Sequence, residues 1–402
     1  MTTPSSRFPS DCLKTFNAGM PGWGAKPEVS TKGDGVTQSL SLADAAYAWG
    51  GPIAVATLKQ TPADFVVTEL LQASLTGKGE HLWCWVEKKG HNTDAVVKQL
   101  AKRWRKPIQA FGYAGKKDRQ ATTYQWISVH DPKHHLSCPP QRLNLPGVRL
   151  LDCQRHRSKC RRGQLQGNHF ALCLRDIRQR GVSAAETQKA VDARLHTLAR
   201  RGVPNYFGPQ RFGHGEQNLQ AASDWFQASM RSKRSQNRVS KNQQGLYLSA
   251  VRAAMFNQLL SWRIDHQAWW SPWPGDVWWT PETGHHQTWW PADPSPSIEA
   301  PVSGGWSGLL PGRGRWHTLG WPLAWERSVV SAHPLWIQGL EQKGVQASRR
   351  CLRVQPRSMT WQWADATTLH CQFSLPAGSY ATAVLREVFI LNTAVPGQSA
   401  DR

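Results

Sequence analysis

The chain has 402 residues, with 49 Lys and Arg against 27 Asp and Glu and a formal net charge of +22, a length that allows two or three domains with a buried core. So large a cationic excess points to a polyanionic partner, nucleic acid first. No apolar run approaches the roughly 18 to 20 residues that span a bilayer, which argues against a membrane partner. Eight cysteines without a CxxC pair argue against a zinc ribbon or dithiol redox site, and the start MTTPSSRFPSDCLKTF lacks an export signal, so a cytoplasmic location is expected.

Residues 1–44, rich in Ser, Thr, Gly and Pro, bury too little surface to offset ordering and are predicted to form a flexible extension. AVATLKQTPADFVVTEL, Ala54 to Leu70, alternates as a β segment with Pro62 as a break, and HLWCWVEKKG forms another strand. NTDAVVKQLAKRW reads as a helix capped by Asn92 or Thr93, with Val97, Leu100, Ala101 and Trp104 at helical spacing. That helix delivers the chain into GYAGKKDRQATTYQWISV, Gly112 to Val129, where one acid, Asp118, sits among Lys116, Lys117 and Arg119. Alone, such a stretch reads as a solvated turn, because exposed ion pairs contribute little. It also places an acid in a loop just before a β-rich run, a rigid support for a positioned side chain. HFALCLR, His169 to Arg175, is a further strand entered through Gly167 and Asn168.

Twelve of the 22 tryptophans fall between Trp262 and Trp325, interleaved with Pro, Gly and His. Such rings could stack unpaired bases, but a packed insert is the favoured reading because aromatic side chains bury large areas. LPAGSYATAVLREVFI reads as a helix capped by Ser379, with Val384, Leu385 and Val388 on one face. Positive charge concentrates at Lys102 to Arg119, at RHRSKCRR from Arg155 to Arg162, and at RSKRSQNR from Arg231 to Arg238. These clusters favour phosphate contacts, with Lys116, Lys117, Arg119, Arg161 and Arg162 as candidates.

Other chemistry has little support. GKKDR lacks the frame of a P-loop, and the pairs His134 with His135 and His285 with His286 have no ligand partners at metal spacing, so no metal site is expected. Without a GxSxG elbow or a Cys/His signature, Asp118 is left as the best candidate for covalent chemistry.

Six ordered blocks carry a family likeness: KQTPADFVVTE (Lys59 to Glu69), GEHLWCWVEKKGHNT (Gly79 to Thr93), AGKKDR (Ala114 to Arg119), LQGNHF (Leu165 to Phe170), VPNYFGPQRFG (Val203 to Gly213) and LPAGSYAT (Leu375 to Thr382). In them the chain resembles the TruD family of tRNA pseudouridine synthases. The resemblance implies a mixed α/β (α+β) fold with a central, largely antiparallel sheet, interrupted by an insertion domain. The implied division is an extension to residue 44, catalytic parts at 45–201 and 355–392, the insertion domain at 202–354 and a tail at 393–402. It also implies that the nucleophilic aspartate is Asp118, that Phe65, Asn168, Phe170 and Tyr380 bind the uracil, and that Lys59 is a basic residue near the site. Tyr380 stands where some relatives carry Phe.

The implied activity is conversion of uridine to pseudouridine in tRNA at position 13. This isomerisation needs no cofactor, since the N1 to C1′ bond is broken and the ring rejoined through C5 without redox change. A carboxylate could attack C1′, take the C2′ proton or add to uracil C6. Each route requires an ionised acid, a state that a neighbouring cation favours, and Lys116, Lys117 or Arg119 is expected to supply it. The rival readings are the same chemistry on another tRNA position or on messenger RNA, and an RNA-binding or chaperone protein whose catalysis is dispensable.

Overall fold

A computed structural model describes residues 42, 44–71, 74–136, 145–161, 163–231, 239–289 and 304–393. Its first strands and helix are β1 (Ala54–Leu58), β2 (Phe65–Leu71), β3 (His81–Lys89) and α1 (Thr93–Trp104), followed by β4 (Phe111–Tyr113), β5 (Thr122–His130), β6 (Val148–His156), β7 (Leu165–Arg178) and α2 (Ala184–Arg201). The chain then passes through β8 (Val203–Pro204), α3 (Gln217–Arg231), α4 (Lys241–Asp265), β9 (Val277–Thr280), β10 (His285–Thr288), β11 (Gly305–Leu310), α5 (Gly320–Ser331), α6 (Pro334–Gln342) and β12 (Ser348–Cys351). It closes with β13 (Arg353–Val354), β14 (Arg357–Trp363), β15 (Leu369–Pro376), α7 (Ala381–Leu385) and β16 (Phe389–Thr393).

A ten-stranded sheet runs in the order β14, β15, β7, β2, β5, β3, β6, with β1, β16 and β4 attached beside it. Of its pairings, β1 with β16 and β2 with β5 are parallel, and the rest are antiparallel. The fold is therefore mixed α/β with a largely antiparallel sheet, as the resemblance implies. Pro62 falls in a short 3-10 turn that separates β1 from β2. The helix α1 begins where Asn92 accepts a hydrogen bond from the Ala95 amide at 2.9 Å and ends at Arg105 in the left-handed region. Its Val96, Val97, Leu100 and Ala101 pack on Leu82, Val86, Ile127 and Val129 of β3 and β5. Phe111 of β4 joins the same cluster, so one core locks both strands that flank the Asp118 loop.

Val203 and Pro204 of β8 pair with Val354 and Arg353 of β13 in a separate two-stranded sheet, which brings these two distant positions together. Between them, β10, β9, β11 and β12 form a four-stranded sheet against α4, whose buried face runs from Ala250 to Ile264. Several tryptophans here meet one another, Trp325 lying 4.3 Å from Trp262 and 4.4 Å from Trp273 between ring centroids, and others pack among the aliphatic and Phe side chains of the core. Trp321 is an exception, exposed at 41%.

Two expectations shift. Leu42 is buried, and the Arg386 guanidinium donates to the Leu42 and Ala45 carbonyls at 3.1 and 2.6 Å, so packed chain begins within the segment read as an extension. Ser379 does not cap α7. That helix spans only five residues with Tyr380 at its cap position, while the Ser379 hydroxyl donates to Asn205 Oδ1 at 3.1 Å. Among the described residues no helix is long and apolar enough to cross a membrane.

Candidate active site

Asp118 lies between β4 and β5 with its side chain 32% exposed. Its Oδ2 accepts from Lys59 Nζ at 3.0 Å and from Gln210 Nε2 at 2.9 Å. Among the described residues no hydrogen bond falls on Oδ1, so one carboxylate oxygen is held and the other is free to react. Lys59 follows β1 with φ of 63°, a left-handed conformation that costs a non-glycine residue about 1–2 kcal/mol. Its ammonium sits 4.1 Å above the Phe65 ring, between that π face and the carboxylate.

The cations beside Asp118 in sequence turn elsewhere, which corrects the expectation that one of them pairs with it. Lys116 Nζ meets Asp94 at 2.7 Å, and Arg119 Nε donates to the Gly90 carbonyl at 3.1 Å. Lys117 points inward, meeting Glu69 Oε1 at 3.2 Å and Asn168 Oδ1 at 2.8 Å, with its side chain only 5% exposed. So deep a side chain cannot reach a phosphate from this position, and Lys117 leaves the set of backbone-contact candidates. Burial lifts the Glu69 carboxyl above its ordinary value against the opposing pull of Lys117 and the Trp126 amide. The role of charge partner falls to Lys59, distant in sequence.

Phe65 and Phe170 meet edge to face at 6.1 Å, and Phe170 also touches Phe373 at 5.7 Å. Both rings belong to the main core and are 3% and 6% exposed. Tyr380 is half-buried, and its hydroxyl accepts from Arg211 Nε at 3.0 Å, while Arg211 Nη1 donates to Ser249 of α4 at 3.0 Å. Gly208 allows this junction, because a Cβ there would come within 2.8 Å of the Tyr380 ring. The segment 208–211 therefore reaches Asp118 through Gln210 and Tyr380 through Arg211. Gly112 serves packing rather than substrate approach, since a Cβ on it would lie 2.3 Å from the Cys160 carbonyl oxygen.

Glu69, Lys88, Gln210 and Arg211 were not singled out by sequence reasoning. All four stand in blocks that carry the family likeness, and nothing local assigns them chemistry. In the basic run from Arg155 to Arg162, Arg155 is committed to Asp131 Oδ2 at 3.0 Å and Lys159 to the Gln109 carbonyl at 2.6 Å. Arg161 is exposed. Arg162 and residues 232–238 of the third cluster lie outside the described residues. Among the described residues no group of three or more His, Cys, Asp or Glu side chains is placed to hold a metal ion.

An aspartate gripped on one oxygen by an ammonium, at the end of a sheet and beside aromatic rings, has the parts of a carboxylate-dependent site. The family model for tRNA pseudouridine synthase D (TruD) matches residues 42–225 and 223–388. The tRNA pseudouridine synthase D of Hydrogenovibrio crunogenus is 42% identical over 353 residues, covering 87% of this chain and 97% of that protein. Its counterpart from Pectobacterium atrosepticum is 38% identical over 344 residues, covering 84% and 94%. The crystal structure of a Methanosarcina mazei protein assigned to TruD shares the fold, with a TM-score of 0.62 at 20% identity over 85% of this chain and 95% of that one. The chain belongs to the TruD family of tRNA pseudouridine synthases and is an enzyme of the isomerase class.

Proposed function

We propose that this chain isomerises uridine to pseudouridine in tRNA, at uridine 13, with the Asp118 carboxylate as the attacking or proton-abstracting group. The observation that carries this reading is the one-sided grip on Asp118, with Lys59 at 3.0 Å and Gln210 at 2.9 Å both on Oδ2. Both donors sit on Oδ2, which leaves Oδ1 for the substrate. The target base leaves its stack at a cost of a few kcal/mol, which contact with aromatic rings offsets. Tyr380, the half-buried ring, is the one we place against the uracil. Phe65 lies beneath the Lys59 ammonium, with Phe170 packed edge to face against it. Asn168 Oδ1 accepts from Lys117, so its amide nitrogen is the group left to donate to a uracil carbonyl.

We assign phosphate contacts to Lys116, Arg119, Arg161 and Arg162, and we read residues 202–354 as an insertion domain that shares the tRNA with the sheet. The test is to map pseudouridine in RNA incubated with the purified chain and with its Asp118→Asn variant. Modification at uridine 13 of tRNA by the first and not the second is the expected result. Modification confined to another position or to messenger RNA would replace the substrate assignment, and RNA binding without modification would leave a binding protein.

A further inference from the structure

Lys88, near the end of β3, is a charged side chain to which the chemistry above gives no part. The residue is 0% exposed. Among the described residues no carboxylate lies within ion-pair distance of it. Burying an ammonium without a counter-ion is costly, so its partners matter. Nζ donates to the carbonyl oxygens of His91 at 2.8 Å, Asp118 at 2.7 Å and Lys117 at 3.4 Å. An ammonium has three donors and no acceptor, so the three carbonyls match its capacity. They come from two separate segments, the turn entering α1 and the loop carrying Asp118. Thr93 adds a fourth tie, its hydroxyl accepting from the Lys117 amide at 3.1 Å.

We propose that Lys88 is the positioning residue of the Asp118 loop: from beneath, its ammonium gathers the His91, Lys117 and Asp118 carbonyls and so fixes the direction in which the Asp118 carboxylate projects. This rests on the assignment of catalysis to Asp118. Lys59 holds the carboxylate at Oδ2, and Lys88 holds the backbone that carries it.

The chemistry of the amine makes the hold dependent on pH. Burial lowers Lys88 to about 8, with the Asp118 carboxylate pulling it up and Lys117 pushing it further down. Other polar groups around the two segments are turned away: the His91 ring to the Pro146 carbonyl, Arg119 to that of Gly90, and Lys116 to Asp94. A neutral amine keeps two N–H donors and cannot serve three carbonyls. The sign for stability is opposite. A lysine whose folded value is depressed binds fewer protons folded than unfolded between about 8 and the ordinary 10.5, so its contribution to stability rises with pH there. Catalysis should therefore weaken in a range where this group does not weaken the fold.

The test measures single-turnover pseudouridine formation on tRNA, Tm and tRNA Kd for the full chain and for Lys88→Met, Lys88→Arg and Asp118→Asn, at about pH 7 and about pH 9. Lys88→Met should slow turnover by about a hundredfold with Kd within about threefold of wild type. Wild type should lose about tenfold in rate between the two pH values with no fall in Tm, and Lys88→Arg, charged throughout, should recover part of the rate and lose that dependence. A Lys88→Met rate within about threefold of wild type, or a loss accounted for by Tm or Kd, overturns the proposal. An alkaline fall that persists in Lys88→Arg belongs to another group, such as the uracil N3–H, and overturns it too. If neither Lys88 variant folds, a wild-type rate unchanged between the two pH values decides against it. Undiminished activity in Asp118→Asn would instead remove the underlying assignment of catalysis.

Discussion

Buried charge is arranged in opposite ways in the Trp-rich part of the chain and around Asp118. In the first, Arg263 meets Asp276 through two parallel bonds of 2.7 and 2.6 Å, and its Nε donates to the Ala268 carbonyl at 2.7 Å. Arg349 likewise meets Glu326 at 2.7 Å while Thr318 donates to the other Glu326 oxygen at 2.6 Å. Both pairs are closed, two-ended and within a few per cent of complete burial. Around Asp118, by contrast, two donors crowd one oxygen, Lys59 is held in a left-handed backbone, and Lys88 has carbonyls in place of a carboxylate. Closed pairs satisfy themselves and hold a fold. The open arrangement leaves bonding capacity for something from solution.

The largest expected effect tests the open side. Asp118→Asn keeps the shape of the side chain and removes its charge, so pseudouridine formation should slow at least about a thousandfold, or about 4 kcal/mol, measured in a single turnover. Tm should stay within a few degrees of wild type, because the lost pair is partly exposed. A variant that unfolds would return Asp118 to the structural class.

The closed side should answer in the reverse sense. Asp276→Asn leaves Arg263 buried without its counter-charge, and breaking such a pair costs about 3–5 kcal/mol. Denaturant unfolding should show that loss, while turnover per folded molecule at low temperature stays near wild type. A large fall in turnover with unchanged stability would erase the distinction between the two regions.

Asp131 sharpens the comparison, since it lies beside the large sheet yet is built in the closed manner. Burial raises its carboxyl, but the Leu136 amide, Lys106 and Arg155 outweigh that and bring it down to about 2. A depressed folded value means that the contribution, roughly 2 kcal/mol by linkage, is complete above the ordinary 3.8 and lost as pH falls through about 2. Denaturant midpoints at about pH 6 and about pH 2.5 should differ more in wild type than in Asp131→Asn. Equal differences in the two proteins would show that the pairing carries no linkage.

How much of this was legible beforehand follows the same division. The periodicity of α1, the alternation of β1 and β2 and the β-rich composition of β3 and β5 are local properties, and these elements appear where the sequence put them. The Asp118 loop was legible as a motif, but its electrostatics were not. Lys116, Lys117 and Arg119 are its neighbours in the chain, yet an irregular loop sends successive side chains in different directions. The contacts that matter come from 59 positions away at Lys59 and 92 at Gln210. Lys88 and Glu69 sit in strands, and strand pattern does not say what an inward side chain meets. Ser379 offered good cap chemistry, and its hydroxyl was taken by Asn205, a tertiary contact that overrides the local preference.

The smallest effect concerns the second donor on Asp118. Gln210 is exposed and neutral, whereas Lys59 is largely buried and charged, though both reach the same oxygen at nearly the same distance. A hydrogen bond to a charged group contributes about 1.5–3 kcal/mol net, and exposure reduces what its loss costs because water replaces the donor. Gln210→Ala should therefore slow the single-turnover rate by less than about tenfold, leave Tm unchanged, and leave the Lys59 contact to Oδ2 in place. The residue arrives from the segment after β8, so its bond is also a contact between that segment and the loop after β4. If substrate displaces it, as a free Oδ1 beside an occupied Oδ2 allows, the variant should bind tRNA as well as wild type or slightly better. A hundredfold loss would make Gln210 a partner of Asp118 throughout the reaction, and the open side of the comparison would be less open than its exposure implies.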